Sequence, residues 1–383
     1  MDPPGELVRV PMLDYVSFCR LSYQSTRVLW QSHVNSSYSF PTDFVSDLRT
    51  SCHVAPSIIP LVILIAILYT KARIWLTANV FLPWAEWLAL SAENCEKVPE
   101  ACWKLLYYSL AWALSLYVGV LCGRHQHLSD PLSTWDGWTV GLELPWDMWA
   151  IYVLQFSFYL HSFYCTLRLD AWRKDSPAMM LHHCLTLTLI AFSYAARYHA
   201  IGSLVLLLHD LSDILLEMTK LNVYLKQRGS PYYYLHELLS SLGFIAFAVS
   251  WFYFRLYCFP LKVLYTSLYG ATFTTSPLPP FIIPFNIMLF TLLALNIYWF
   301  HFILVLLVKI ATGQLSEIED TREIEEQRKL LEAQEAEAAQ KLAAETNGHV
   351  VGTGDEKHYG NGDSPVKAVN GVEHLREGHK KTD

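Results

Sequence analysis

The sequence predicts an all-α integral membrane protein of about seven transmembrane helices with an acidic C-terminal tail, and three observations carry that reading. Of 383 residues, 53% are hydrophobic and only 16% charged, against about 25% charged in an ordinary soluble domain. Seven apolar stretches, at 56–76, 102–122, 146–167, 177–197, 199–219, 235–258 and 281–309, each approach the ~20 residues that cross a bilayer as a helix. The charge is also segregated. Residues 1–310 balance 19 basic against 19 acidic side chains, whereas residues 311–383 hold 9 and 16, the whole net charge of −7. A basic nucleic-acid footprint is absent, and eight cysteines with no CxxC pair exclude zinc-finger and disulfide-dense classes.

Each segment follows in order. Residues 1–55 mix Pro, Ser, Asp and aromatics without the apolar core of a cleavable signal peptide, so they form a polar, lumenal leader. The first span is 56–76. Residues 77–100, with Trp84, Trp87 and two prolines, are expected as an interfacial cytosolic connection, because Trp sits well at headgroup level. Residues 101–313 carry the other six spans as one domain, the third to fifth being less purely apolar. Pro284 starts or bends the seventh. Residues 314–383 begin as a Glu/Ala/Gln run and become a Gly/Asn/Asp stretch that cannot bury a core; they are expected to be disordered.

Orientation follows from Lys and Arg in the connections. Ten lie after spans one, three and five; four (Arg124, Arg197, Arg255 and Lys262) lie after spans two, four and six. That excess puts the amino end in the lumen and the tail in the cytosol, although four leader arginines pull the other way. Asn35-Ser36-Ser37 is a glycosylation sequon, usable only on a lumenal leader. The ending Lys380-Lys381-Thr382-Asp383 resembles the dilysine signal of endoplasmic-reticulum membrane proteins. Cys122 and Cys258 fall at the lumenal ends of spans two and six, as a disulfide or as two free thiols.

Spans four and five hold polar groups that a membrane helix rarely keeps. The fourth carries His182 and His183; the fifth carries His209, Asp210, Asp213, Glu217 and Lys220. An Asp near mid-membrane costs roughly 2.5–3.5 kcal/mol on insertion scales. At 100° per residue His209, Asp213, Glu217 and Lys220 form one stripe, with Asp210 on its flank. The histidine pair and Asp213 each lie about 8–10 Å inside the cytosolic end of their spans. A tight connection around Tyr198 makes those spans antiparallel neighbours. Such groups also serve simply to hydrogen-bond helices together; five ionisable groups at matched depth favour chemistry.

Three chemistries fit to different degrees. A di-iron hydroxylase would need histidine boxes that His161, His199, His236 and His301 do not form, so no metal is expected. A histidine with aspartate partners and no adjacent Ser or Cys nucleophile suits acyl transfer, the imidazole serving as base or acyl acceptor. A non-catalytic lipid-binding or translocon-associated protein is the third reading. The basic rim of Arg173, Lys174, Lys220, Lys226 and Arg228 would hold the phosphates of a soluble acyl donor, or would merely mark the cytosolic face.

Arg173-Lys174-Asp175, His182-His183, Arg197 and His209-Asp210-x-x-Asp213-x-x-x-Glu217-x-x-Lys220 resemble the TLC-domain signature of the ceramide synthases. The similarity extends from about Lys97 to Gln314. Most animal members insert a homeobox-like segment between the first two spans, and residues 77–100 are too few for one. The resemblance implies N-acylation of a sphingoid base by a fatty acyl-CoA co-substrate, stearoyl-CoA by analogy, with no further cofactor. It implies His182 as acyl acceptor or base with His183 as its partner, Asp210 and Asp213 as orienting and neutralising carboxylates, and His209, Glu217, Lys220 and Arg197 in support. Acyl-length preference is assigned by it to the last lumenal connection, about 259–280. Beyond substrates and bilayer, homo- or hetero-dimers with other ceramide synthases complete the implied partners.

Overall fold

The computed structural model describes residues 9–35, 42–123, 126–170, 175–226, 228 and 231–312. Arg173, Lys174, Ser36, Ser37, Arg124, the tail 314–383 and its Lys380 and Lys381 lie outside them. The described residues form nine longer helices, one short 3-10 helix at Pro131–Trp135 and no strand: α1 Tyr15–Asn35, α2 Thr42–Ser51, α3 Ile58–Trp87, α4 Ala92–Leu121, α5 Trp146–Arg168, α6 Ser176–Ala195, α7 His199–Lys226, α8 Tyr233–Thr274 and α9 Ile282–Ala311. Six are long and apolar enough to cross a membrane: α3, α4, α6, α7, α8 and α9. The seventh expected span is α5, a 23-residue helix whose Asp147, Gln155 and His161 lower its hydropathy but lie buried against neighbours.

Several boundaries differ from the sequence expectation, each for a local reason. The segment 77–100 is mostly helix. α3 continues to Trp87, because a π-helical turn at Thr77–Phe81 precedes Pro83, whose missing N–H is then not needed. Ala89 breaks the helix with φ +54°, and α4 begins where the Ser91 hydroxyl accepts from the Asn94 N–H at 3.3 Å. The largest difference is α8, 42 residues long. It runs through Arg255 and Lys262, counted above as loop charges, and through most of 259–280. Phe259, Leu261, Val263 and Leu264 are fully buried there, so the chain gains more by staying helical than by exposing a loop. The last connection shrinks to 275–281.

The leader is more ordered than its composition suggests. α1 buries Phe18, Ser25 and Leu29, a single stripe spaced by about two turns and one turn. Phe18 and Leu29, with Leu13, join the core formed by Phe259, Leu261 and Tyr265 of α8. Lys262 Nζ donates to the carbonyls of Pro11 (2.7 Å) and Leu128 (2.6 Å), which satisfies a buried ammonium with backbone oxygens. Cys122 and Cys258 are free thiols.

The centre of the bundle is α7, the most buried of the six apolar helices. α6 and α7 are joined through Ala196, Arg197 and Tyr198, with Arg197 left-handed at φ +63°, so they are antiparallel neighbours as the sequence predicts. Gly202 lets α7 approach α5: a Cβ there would stand 1.9 Å from the Tyr152 hydroxyl.

Candidate active site

The site is assembled from α5, α6, α7, α8 and α9 around the two histidines of α6. Pro177 starts α6, placing His182 and His183 in its second turn. The His182 ring lies 5.8 Å from His183, 6.4 Å from Tyr159 and 5.4 Å, edge-on, from Trp299. His183 is buried and stands 6.2 Å from Tyr159. Among the described residues, the Nδ1 atoms of both histidines are buried without a hydrogen-bond partner. Buried polar atoms are normally satisfied, and these two orphans are adjacent on one helix.

The carboxylates of α7 are held by residues that sequence reasoning missed. Asp210 is fully buried, and its Oδ2 accepts from Gln155 Nε2 at 2.8 Å. Tyr107 in turn donates to Gln155 Oε1 at 3.2 Å. The other oxygen, Asp210 Oδ1, is buried without a partner among the described residues. Asp213 pairs with Arg255 of α8, Nη2 to Oδ1 at 2.6 Å. Arg255 also donates to Ser212 Oγ (2.7 Å) and to the His209 carbonyl (2.9 Å), and its guanidinium stacks 3.9 Å over the Trp251 ring. Gln155 and Tyr159, one turn apart on α5, complete the wall facing the histidines. The signal for both was present: a buried amide and a buried arginine inside apolar helices are rare and need partners.

His209 has a different environment from the His pair. Its Nδ1 donates to the Val205 carbonyl at 2.8 Å, and its Nε2 accepts from Asn296 Nδ2 at 3.2 Å. Both ring nitrogens are therefore occupied, and the tautomer is fixed. No hydrogen bond joins His182 or His183 to Asp210 or Asp213 among the described residues.

The remaining predicted residues fall in three places. Glu217 and Lys220 pair at 2.8 Å one to two turns beyond Asp213. Lys226 is buried against Glu237 at 3.1 Å, and Arg228 Nε donates to the Leu88 carbonyl at 3.1 Å. Both contacts tie the α7–α8 connection down. Arg197 sits at the other end of α6, about 22 Å of helix from His182, and donates to the Tyr194 carbonyl at 2.9 Å. It cannot join the His–Asp group. Asn35 ends α1 and is exposed.

An apolar seam of about 30 Å³ begins one turn from His183, between Thr186 and Leu189 of α6, Val205 and Leu206 of α7, and Leu289 of α9. It points from the histidines toward the α6–α7 turn.

Comparison with known proteins matches the same segment. A family profile described as a TLC domain covers residues 97–305. Ceramide synthase 1 of Homo sapiens is 46% identical over 277 residues, 72% of this chain and 78% of that protein. Ceramide synthase 1 of Mus musculus is 43% identical over 289 residues, 76% and 81% of the two chains. Ceramide synthase LOH2 of Arabidopsis thaliana is 29% identical over 258 residues, 66% and 83%.

Proposed function

Because the chain belongs to the TLC-domain family and is a ceramide synthase, an acyl-CoA-dependent enzyme that N-acylates a sphingoid base, we propose that it uses stearoyl-CoA and transfers the acyl group at the His182–His183 pair. The observation that carries the assignment is the adjacent pair of buried Nδ1 atoms, of His182 and His183, that have no partner among the described residues and lie beside Tyr159. Attack by the amine nitrogen on the thioester carbonyl forms an N–C bond, breaks the C–S bond and releases CoA thiolate. The amine proton must leave as that bond forms. His182 is the base that takes it, or the group that first accepts the acyl as an acyl-imidazole; His183 is its partner.

The surrounding residues prepare that step. Asp213 is paired with Arg255 and Asp210 is held by Gln155, so both carboxyl groups are fixed in place to orient the sphingoid head during transfer. The free Asp210 Oδ1 is an acceptor for the ammonium or hydroxyl of the sphingoid head. The apolar seam below His183 gives the direction in which an acyl chain would part the helices. Acyl-CoA is the co-substrate, and no other cofactor enters.

The location belongs to the same reading: endoplasmic-reticulum membrane, amino end lumenal and glycosylated at Asn35, tail cytosolic and ending in Lys380-Lys381, with dimers formed among ceramide synthases.

Membranes containing the protein, given sphinganine and a ladder of acyl-CoAs, test the reading. Dihydroceramide formation peaking at stearoyl-CoA is the expected result. A peak at another length removes the donor assignment, and no product above background removes the activity.

A further inference from the structure

At the end of the bundle opposite the histidines lies a cavity of about 370 Å³ that the N-acylation chemistry does not use. It is lined by Gln126 and His127, by Asp136 and Trp138, and by Arg197 and His199 at the α6–α7 turn. The volume is far more than a water needs and lies within the range of ligand pockets, about 300–1,000 Å³.

Three features give the cavity its chemistry. Arg197 Nη1 is engaged by the Tyr194 carbonyl, but its Nε is buried with no partner among the described residues. A guanidinium edge with an unused donor matches a phosphate oxygen in geometry and charge. Second, His199 and Ala200 open the 28-residue helix α7, whose first-turn N–H groups and positive dipole end favour an anion. Third, the one acidic lining residue, Asp136, is ion-paired, with Arg9 shared between it and Asp130. Asp136 takes Arg9 Nη2 at 2.7 Å, and the same guanidinium reaches Asp130 at 3.0 Å. Trp135 and Trp138 pack on Tyr198 at 5.4 and 5.8 Å, an aromatic cluster of the kind that sits at headgroup depth. Arg197 also holds its left-handed backbone at φ +63°, a conformation that costs of order 1 kcal/mol and persists where the surroundings require it.

We propose that this cavity is a phosphate-binding site, distinct from the acyl-transfer site, in which Arg197 and the first turn of α7 hold the anion. The phosphate comes either from the headgroup of an anionic phospholipid in the adjoining leaflet or from free phosphate in solution.

The full chain is purified into phosphatidylcholine nanodiscs with or without phosphatidic acid, and retained lipid is counted by native mass spectrometry. In parallel, inorganic phosphate is titrated against the protein in phosphatidylcholine alone, following its thermal transition. Arg197→Gln removes the donor, and Ala200→Phe fills the cavity without removing charge. Circular dichroism and elution volume select preparations of each variant that fold as wild type. Retention of phosphatidic acid by the wild type, weakened about tenfold (about 1.4 kcal/mol) in either folded variant, supports the site with a lipid source. A thermal shift with inorganic phosphate that the variants lack supports it with a soluble source. Wild-type protein that takes neither probe, or variants that bind as wild type does, would overturn the proposal.

Discussion

Arg255 Nη2 stands 2.6 Å from Asp213 Oδ1, joining α8 to α7 inside the membrane body. The arginine side chain is 4% exposed and the aspartate 21%. A charge so placed is tolerable only because its partner, the Ser212 hydroxyl and the His209 carbonyl absorb its donors. Arg255→Met should therefore leave Asp213 uncompensated and destabilise the protein by about 3 kcal/mol, the lower end for a broken buried pair because Asp213 keeps some access. Thermal unfolding in detergent would show it as a lowered transition. The double variant Arg255→Met with Asp213→Leu should recover much of the stability but none of the activity. Recovery of both would mean that the pair only holds helices together.

Asp210 depends on a weaker partner. Its Oδ2 accepts from Gln155, and its Oδ1 is open. Asp210→Asn keeps the shape and one acceptor while removing the charge, so abundance should stay near wild type while N-acylation falls about a hundredfold. Quantitative immunoblots beside product mass spectrometry separate the two effects. Full activity in Asp210→Asn would place its charge outside the reaction.

Much of this arrangement is legible in the sequence, and the exceptions have physical causes. The α6–α7 turn at Tyr198 follows from the short connection between the two apolar runs. Arg255 and Lys262 do not. A cation after an apolar run reads as the start of a loop, and only tertiary contacts with Asp213, Pro11 and Leu128 make it affordable inside α8. Arg197 belongs to the family pattern, yet a helix of this rise carries it away from His182. The partners of Asp210 come from α5, 55 residues away in sequence, where nothing but burial distinguishes Gln155 from a surface amide.

His209 separates positioning from chemistry. Both ring nitrogens are occupied, by the Val205 carbonyl and by Asn296, so it has no proton to exchange without breaking a buried contact. His209→Gln, which keeps a donor and an acceptor, should lower turnover by about tenfold. The same assay on His182→Gln should show a far larger loss. Equal losses would put His209 among the reacting groups.

Gly202 tests the packing beneath the site. A Cβ there would meet the Tyr152 hydroxyl at 1.9 Å and Ser193 Oγ at 2.9 Å, between helices already joined by the Tyr152–Ser193 hydrogen bond at 3.0 Å. Gly202→Ala should lower stability by about 2 kcal/mol through overpacking. Gly202→Ala with Tyr152→Phe should regain part of it as the hydroxyl leaves. A neutral single substitution, read by the thermal transition, would mean that α5 and α7 lie farther apart.

Acyl transfer at the proposed His182–His183 pair is tested by stearoyl-CoA-dependent N-acylation of sphinganine by membranes carrying wild type, His182→Ala or His183→Ala, normalised to protein abundance. A loss of about a thousandfold is expected in His182→Ala, within the range for a removed acid–base or nucleophilic group, with abundance unchanged. His182→Ala protein that accumulates normally and still forms dihydroceramide near the wild-type rate would contradict it.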